Sequence, residues 1–155
     1  MWVARPAAIG TEAVITVSAR TAGGEVRRMA THAFRVRALP DPTPYIEHKD
    51  AGGNPVILKG GSIPKAALLN SDGIKAAIDD GILYVPFQVR SFRTVFFDAM
   101  GNAIPEVSDG SRFSERQKEQ IRRLARGSYF YISGVRATGP DGTEREIAVM
   151  ELRVN

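Results

Sequence analysis

The chain has 155 residues, of which 43% are hydrophobic, and it carries 21 basic and 17 acidic residues for a net charge of +4. This length fits one ordinary domain, or one domain with part of another, and it excludes a large multidomain enzyme. Since there is no cysteine, disulfides, thiolate zinc sites and cysteine nucleophiles are excluded as well. No stretch has the roughly 20 consecutive apolar residues that a membrane-spanning helix needs.

Residues 13–39 predict two strands, because apolar and polar side chains alternate in VITVSAR (14–20) and in FRVRAL (34–39). The turn between them is Ala22-Gly23-Gly24-Glu25, since glycine supplies the backbone angles of a tight hairpin. A lone hairpin is only marginally stable in water, so these strands either join the later sheet or belong to a domain whose earlier part is missing. Three prolines in residues 40–44 then predict an extended segment, and this is the best domain boundary in the chain.

Two short helices and one short strand are predicted in residues 54–81. Val56-Ile57-Leu58 indicates the strand, and Ser62 has the character of an N-cap for a helix with Pro64 in its first turn. Asp72 is expected to cap a second helix that ends at Gly81.

Residues 82–98 predict one long strand, because they are rich in β-branched and aromatic side chains. The apolar positions change from odd numbers at Val89 to even numbers at Phe92, which predicts a bulge near Ser91. Pro86 has no N–H to donate and is therefore expected where the strand is an edge. Met100-Gly101-Asn102 then predicts a turn into a short strand around Ile104.

A basic helix is predicted from Ser114 to Arg126. Ser114 followed by Gln117 matches a capping box, and Gly127 stands where a helix often ends. Two final strands, 129–137 and 145–154, flank the turn sequence Gly139-Pro140-Asp141-Gly142. The sum is an α+β fold, a mainly antiparallel β-sheet with two or three short helices.

The whole net charge is concentrated in residues 112–126, which contain six basic and two acidic residues (6 − 2 = +4). A basic stripe of this kind attracts phosphates, lipid headgroups or an acidic protein surface, although an ordinary solvated helix face has the same composition.

No residue set predicts catalysis, a cofactor or a metal. The two histidines, His32 and His48, lack metal-ligand spacing, and the segment from Lys59 to Ser62 lacks the spacing of a phosphate-binding loop. Aromatic residues could stack on single-stranded nucleic acid, but core packing is the favoured use; they lie at positions 84, 87, 92, 96, 97, 129, 130 and 131.

Four segments in a fixed order resemble the C-terminal domain of the GldM family of gliding-motility and type IX secretion proteins, called PorM in non-gliding relatives. The segments are FRVRALPDPTPYI, KGGSIPKAALL, FQVRSFRTVFF and RFSERQKEQIRRLARGSYFYISGVRATGPDGT. The similarity extends from about Phe34 to the C-terminus.

This resemblance implies a non-enzymatic periplasmic protein without cofactors. Family members are anchored in the inner membrane by an N-terminal helical hairpin and extend across the periplasm as dimeric rods. The distal domain reaches an outer-membrane-associated ring of GldK and GldN, or PorK and PorN, and the rod transmits the motion of an inner-membrane motor. Residues 1–39 would then be the C-terminal hairpin of a truncated immunoglobulin-like domain, and residues 40–155 the family's C-terminal domain, with the membrane anchor absent.

The resemblance does not show which surface binds the ring. We expect Arg112, Arg116, Arg122 and Arg123 to contribute an electrostatic docking face, because the net charge is concentrated there. The alternative is a small basic nucleic-acid-binding protein that uses the helix of residues 112–126. Helix-turn-helix binding to a duplex is disfavoured, because residues 102–111 are rich in turn formers instead of a partner helix.

Overall fold

The computed structural model describes residues 3–155 and divides the chain into two compact units, the second of which spans Asp41–Asn155. Residues 1 and 2 of the predicted first domain lie outside the described part. The division falls inside the proline-rich segment.

The first unit contains an antiparallel hairpin of β1 (Glu12–Arg20) and β2 (Val26–Arg35). Within the described residues these strands pair only with each other, so they do not join the later sheet. Its turn is the predicted one, closed by a 2.8 Å hydrogen bond from the Thr21 N–H to the Glu25 carbonyl. The prediction of the second strand at residues 34–39 is wrong, because the turn sets the register and brings Val26 opposite Arg20. Pairing therefore follows the turn and not the alternating pattern.

The second unit is built on a nine-stranded sheet with two helices, and the described chain is 51% strand and 9% helix. The predicted α+β, mainly β class is thus confirmed. The path of the sheet is β4-β3-β6-β7-β9-β11-β5, with β8 beside β7 and β10 beside β9. The elements are β3 (Thr43–Lys49), β4 (Pro55–Leu58), β5 (Gly61–Ile63), α1 (Lys65–Leu69), β6 (Lys75–Asp79), β7 (Tyr84–Phe97), β8 (Ala103–Asp109), α2 (Glu115–Arg123), β9 (Tyr129–Thr138), β10 (Glu144–Ile147) and β11 (Met150–Val154).

The sheet of the second unit curls round its core. Strands β4 and β5 are at opposite ends of the path, yet only Lys59 and Gly60 connect them. Three Cα steps of about 3.8 Å span at most about 11 Å, so the two ends of the sheet lie close together. The enclosed face carries the core, where the rings of Phe96 and Phe130 stack at 5.1 Å.

Two predicted helical features are strands in the structure. Ser62, the expected N-cap, lies in β5 and pairs in parallel with Arg153 of β11, and α1 begins only at Lys65. The helix expected from Asp72 to Gly81 is instead β6, whose Ala76, Ala77 and Ile78 are buried between β3 and β7. Pairing with strands that are distant in sequence outweighs the helix preference of alanine-rich segments.

The long predicted strand and its bulge are confirmed. Strand β7 runs from Tyr84 to Phe97, and its register with β9 shifts on both sides of Ser91. Pro86 lies opposite Ala77 of β6, outside the stretch that pairs with β9, which begins at Gln88. On that side β7 is an edge, the kind of position where sheets tolerate proline.

The predicted ends of the last elements need correction. Helix α2 ends at Arg123, and Gly127 belongs to the following turn, where its N–H donates to the Val154 carbonyl at 2.7 Å. The last predicted strand is two strands, β10 and β11, which pair with different halves of β9. The two halves meet at Gly134, whose φ of +57° lies in the left-handed region and bends the strand.

Candidate protein-interaction site

Helix α2 carries the four predicted site residues on or next to it, and its N-terminal end is fixed by Ser114 and Gln117. The Ser114 side chain accepts from the Gln117 N–H at 3.2 Å, and the Gln117 side chain accepts from the Ser114 N–H at 2.9 Å. The predicted capping box is therefore confirmed. Gln117 is fully buried and also donates to the Glu106 carbonyl of β8 at 3.0 Å, which attaches the helix to the sheet.

The C-terminal end of α2 is held by a lysine from α1. The Lys65 ammonium donates to the carbonyls of Arg122, at 3.1 Å, and Leu124, at 2.5 Å. These are carbonyls that the end of a helix leaves without intrahelical partners. Because Ile121 is also fully buried, both ends and the inner face of α2 are attached to the second unit.

All four predicted arginines are exposed, but they do not form one cluster. Arg116 and Arg123 are seven residues apart and share one face of α2. Arg122 lies on another side, with its guanidinium 4.0 Å from the Glu115 carboxylate. Arg112 precedes the helix, where the Ser108 hydroxyl donates to its carbonyl. Among residues 3–155, Arg112, Arg116 and Arg123 have no carboxylate oxygen within 4.0 Å.

A second surface feature lies on the sheet face opposite the core, and the sequence named its three aromatic residues only as part of the set of eight assigned mainly to the core. The rings of Phe97, Tyr129 and Tyr131 contact one another, with centroids 5.6 to 6.0 Å apart. Val95 and Val107 share this face. Val95 lies opposite Tyr131 of β9. Arg93 precedes Val95 by two residues, so it is on the same side of β7, and it lies opposite Val107 of β8. We call these five residues, Val95, Phe97, Val107, Tyr129 and Tyr131, the aromatic face.

Side chains of the aromatic face remain in contact with solvent. Tyr129 is 47% exposed and Val107 62%, while Phe97 and Tyr131 are half-buried. Core packing is confirmed for Phe87, Phe92, Phe96 and Phe130 and is wrong for Tyr84 and Tyr129. The sequence contained one indication of this exposed face. Residues 129–132 are apolar or aromatic at every position, whereas a strand with one solvent-facing side normally alternates apolar and polar residues.

One tyrosine of this face, Tyr131, is electrostatically linked to an acid. Partial burial and the nearby charge of Glu151 raise the pKa of the Tyr131 hydroxyl. Glu151 lies directly opposite Tyr131 in the sheet. Two arginines flank the same face, and one of them, Arg93, donates from Nε to the Ser133 hydroxyl at 3.3 Å. The other, Arg153, lies opposite Tyr129.

The remaining polar features do not assemble a reactive centre in the part of the chain that the structure describes. His48 lines an open groove of about 850 Å³ between the β3–β4 turn and α1, together with Asp50 and Asp72. No group of three or more His, Asp or Glu side chains among residues 3–155 is placed to hold a metal ion. His32 packs beside Phe34 on the hairpin, with ring centroids at 6.3 Å. No helix of residues 3–155 combines the length and the apolar character needed to cross a bilayer.

A curled sheet that carries a tethered basic helix and an exposed aromatic face defines a protein-interaction domain. The family model for the GldM C-terminal domain matches residues 40–155, and the chain belongs to this family. The predicted family is thereby confirmed. It places the chain in the cell-envelope machinery of gliding motility and type IX secretion, and it is a structural family and not a known enzyme family. No curated protein matches the sequence.

Proposed function

We propose that residues 40–155 form the distal end of a periplasmic rod that docks on an outer-membrane-associated ring and transmits the motion of an inner-membrane motor. The ring proteins are of the GldK and GldN, or PorK and PorN, type, and the rod is a homodimer anchored in the inner membrane. The observation that carries the proposal is the basic helix α2. The exposed Arg116 and Arg123 on this helix, and Arg112 just before it, have no carboxylate partner within 4.0 Å among the described residues.

The attachment of α2 suits a domain that must transmit motion. A docking helix transmits force to its domain only if it cannot slide on the sheet, and here Gln117, Ile121 and Lys65 hold it at the start, the middle and the end. The arginines can then act as a rim that steers an acidic partner into register.

We also propose that residues 1–39 are the C-terminal hairpin of an immunoglobulin-like domain. One face of the hairpin is apolar, because Ala13 pairs with Phe34, Ile15 with His32 and Val17 with Ala30. Ile15, Val17 and Phe34 are 41 to 54% exposed. A sheet face of this composition is normally covered by a second sheet, as in a β-sandwich.

The test is binding of the purified chain to the ring proteins of a type IX system at low and at physiological salt. The helix variant combines R112Q, R116Q, R122Q and R123Q, which lowers the net charge from +4 to 0 (4 − 4). The matched control combines R20Q, R27Q, R28Q and R35Q, which makes the same change at four exposed arginines of the hairpin.

Binding should weaken with salt, and the helix variant should bind at least about fivefold more weakly, since each exposed charge pair contributes about 0.2–1 kcal/mol. The hairpin control should stay near the wild-type affinity. Unaltered affinity and salt dependence of the helix variant would exclude α2 as the docking face. Saturable binding to an oligonucleotide, without ring binding, would favour the nucleic-acid alternative.

A further inference from the structure

The aromatic face is unusual for the solvent side of an antiparallel sheet, which is normally polar. Along β9 the outward residues Tyr129 and Tyr131 alternate with the fully buried core residues Phe130 and Ile132. The neighbouring outward residue of β7 is Phe97, so the three rings form one contiguous surface. Tyrosine and phenylalanine have few rotatable bonds and large contact areas, and they are enriched at the centres of protein interfaces.

Two arginines beside this face, which form no ion pair within the described residues, favour an acidic partner. Arg93 of β7 and Arg153 of β11 flank the face. The outward side of its strands also carries Asp109 and Glu151, and Arg136 of β9 is paired with Glu144 at 3.3 Å. Within residues 3–155, Arg93 and Arg153 have no carboxylate oxygen within 4.0 Å. A carboxylate from outside would therefore meet two guanidinium groups that are free to bind it.

The same charges disfavour a second copy of this chain as the partner. In a face-to-face pair of copies, both surfaces would carry the same Arg93 and Arg153 side chains, which have no ion-pair partner in the described part of the chain. Like charges brought together at an interface cost binding free energy. An acidic surface with an apolar centre satisfies the arginines and the rings together.

The aromatic face begins close to Arg126, the last basic residue of the segment that contains α2. The turn after α2 ends at Ser128, and Tyr129 opens β9 only three residues beyond Arg126. This turn is fixed to the end of β11, because the Gly127 N–H donates to the Val154 carbonyl at 2.7 Å and the Val154 N–H donates to the Ser128 carbonyl at 2.8 Å. Arg126 and Tyr129 are thus at most about 11 Å apart along the chain, within one ordinary interface.

We propose that the aromatic face is the apolar anchor of the docking site and that its partner presents an acidic surface with apolar residues at its centre. This inference rests on the proposed function, with the ring proteins as the partner. In this proposal the two parts of the surface have different roles in binding. The rings exclude water and contribute affinity, whereas the arginines of α2 contribute steering and salt dependence.

The test compares ring binding of the wild-type chain with that of the double variant F97S and Y129S over a range of salt concentrations. The control is the double variant I82S and Y84S, which removes two side chains that are 97% and 64% exposed elsewhere in the second unit. We expect F97S with Y129S to weaken binding at least about tenfold without altering the slope of affinity against salt, because apolar contacts are not screened. The control should stay within about twofold.

A second measurement does not depend on how well the serine-substituted variants fold. A photo-crosslinking amino acid at position 129 should capture a ring protein, and the same group at position 84 should not. Wild-type chain that fails to bind the ring would overturn the proposed function and this inference with it. Normal binding, with an unaffected F97S and Y129S variant and no crosslink from position 129, would overturn this inference alone. Conversion of a dimer into a monomer by F97S and Y129S would show that a second copy covers the face.

Discussion

Gln117 allows a sharp test of how the basic helix is attached, through the substitution Gln117→Glu. The native side chain accepts from the Ser114 N–H and donates to the Glu106 carbonyl, and it is fully buried. A carboxylate keeps the first bond and loses the second, because it has no N–H to donate. It also places a negative charge against a carbonyl oxygen in a site without water contact.

The magnitude follows from these two losses. The Glu106 carbonyl still accepts from the Thr94 hydroxyl at 3.2 Å, so the loss of the Gln117 hydrogen bond costs about 0.5–1.5 kcal/mol. Burial that raises the pKa of the introduced carboxyl by about two units costs about 2.7 kcal/mol more at neutral pH. A negative charge in the first turn of a helix interacts favourably with the helix dipole, which offsets about 0.5–1 kcal/mol of this cost. The free energy of unfolding should therefore fall by about 2–4 kcal/mol at pH 7.5, out of the 5 to 15 kcal/mol that is typical of a domain.

The pH dependence has a definite sign. The folded-state pKa of the introduced carboxyl is raised, so its cost is fully present at high pH and disappears below the unfolded value of about 4.3. When protonated, the group can also donate to the Glu106 carbonyl and restore the lost bond.

The assay is urea unfolding of wild type, Gln117→Glu and the half-buried control Gln120→Glu at pH 7.5 and pH 4. The control should differ from wild type by less than about 0.5 kcal/mol at both pH values. The reasoning fails if Gln117→Glu costs less than about 1 kcal/mol at pH 7.5, or if its cost relative to wild type does not shrink at pH 4.

Three further predictions concern other positions. Gly73→Ala should destabilise the second unit by about 3 kcal/mol or more in urea unfolding, because φ is +101° and a Cβ would lie 2.0 Å from the Ser111 carbonyl oxygen. The control Gly101→Ala has a φ of +84° but open space around the Cβ position, so it should cost only about 1–2 kcal/mol. Burial and the neighbouring Tyr84 raise the pKa of Tyr45 to about 12, so Tyr45→Phe should remove one tyrosine's share of the absorbance change near pH 12 in an ultraviolet titration, and an unchanged titration would contradict this. Hydrogen bonds from Asn102 lower the pKa of Asp98, so the stability contributed by this turn should be present above about pH 3.9 and lost as the pH falls through the lowered value, and a normal Asp98 pKa in an NMR titration would contradict this.

The features that the sequence predicted well depend on residues close together in the chain. Ser114 and Gln117 form their capping box within three residues, and the turn at Gly139–Gly142 closes by a 3.0 Å hydrogen bond from the Gly142 N–H to the Gly139 carbonyl. The bulge at Ser91 follows from the change in apolar alternation along one strand. Local chemistry suffices in each case, because the donor, the acceptor and the backbone angles all belong to one short segment.

The errors arose where partners are far apart in sequence. Ser62 has the chemistry of an N-cap, but pairing with Arg153, 91 positions further on, makes it part of a strand. The helix-prone Ala76 and Ala77 are strand residues because β3 and β7 enclose them on both sides. Propensity differences of less than about 1 kcal/mol per residue do not compete with burial in the middle of a sheet.

For the candidate site, the sequence by itself determined the charge of α2, its cap, and a family pattern specific enough to predict the GldM C-terminal domain. Only the tertiary structure decided which side of α2 is attached to the sheet, through the buried Gln117 and Ile121, and therefore which side stays exposed. It also separated Phe130, which is in the core, from Tyr129 and Tyr131, which are on the opposite face. The physical reason is that the sequence determines which side chains are available to bind a partner. The pairing of β9 with β7 and β11 determines which of these side chains are buried in the core and which remain at the surface.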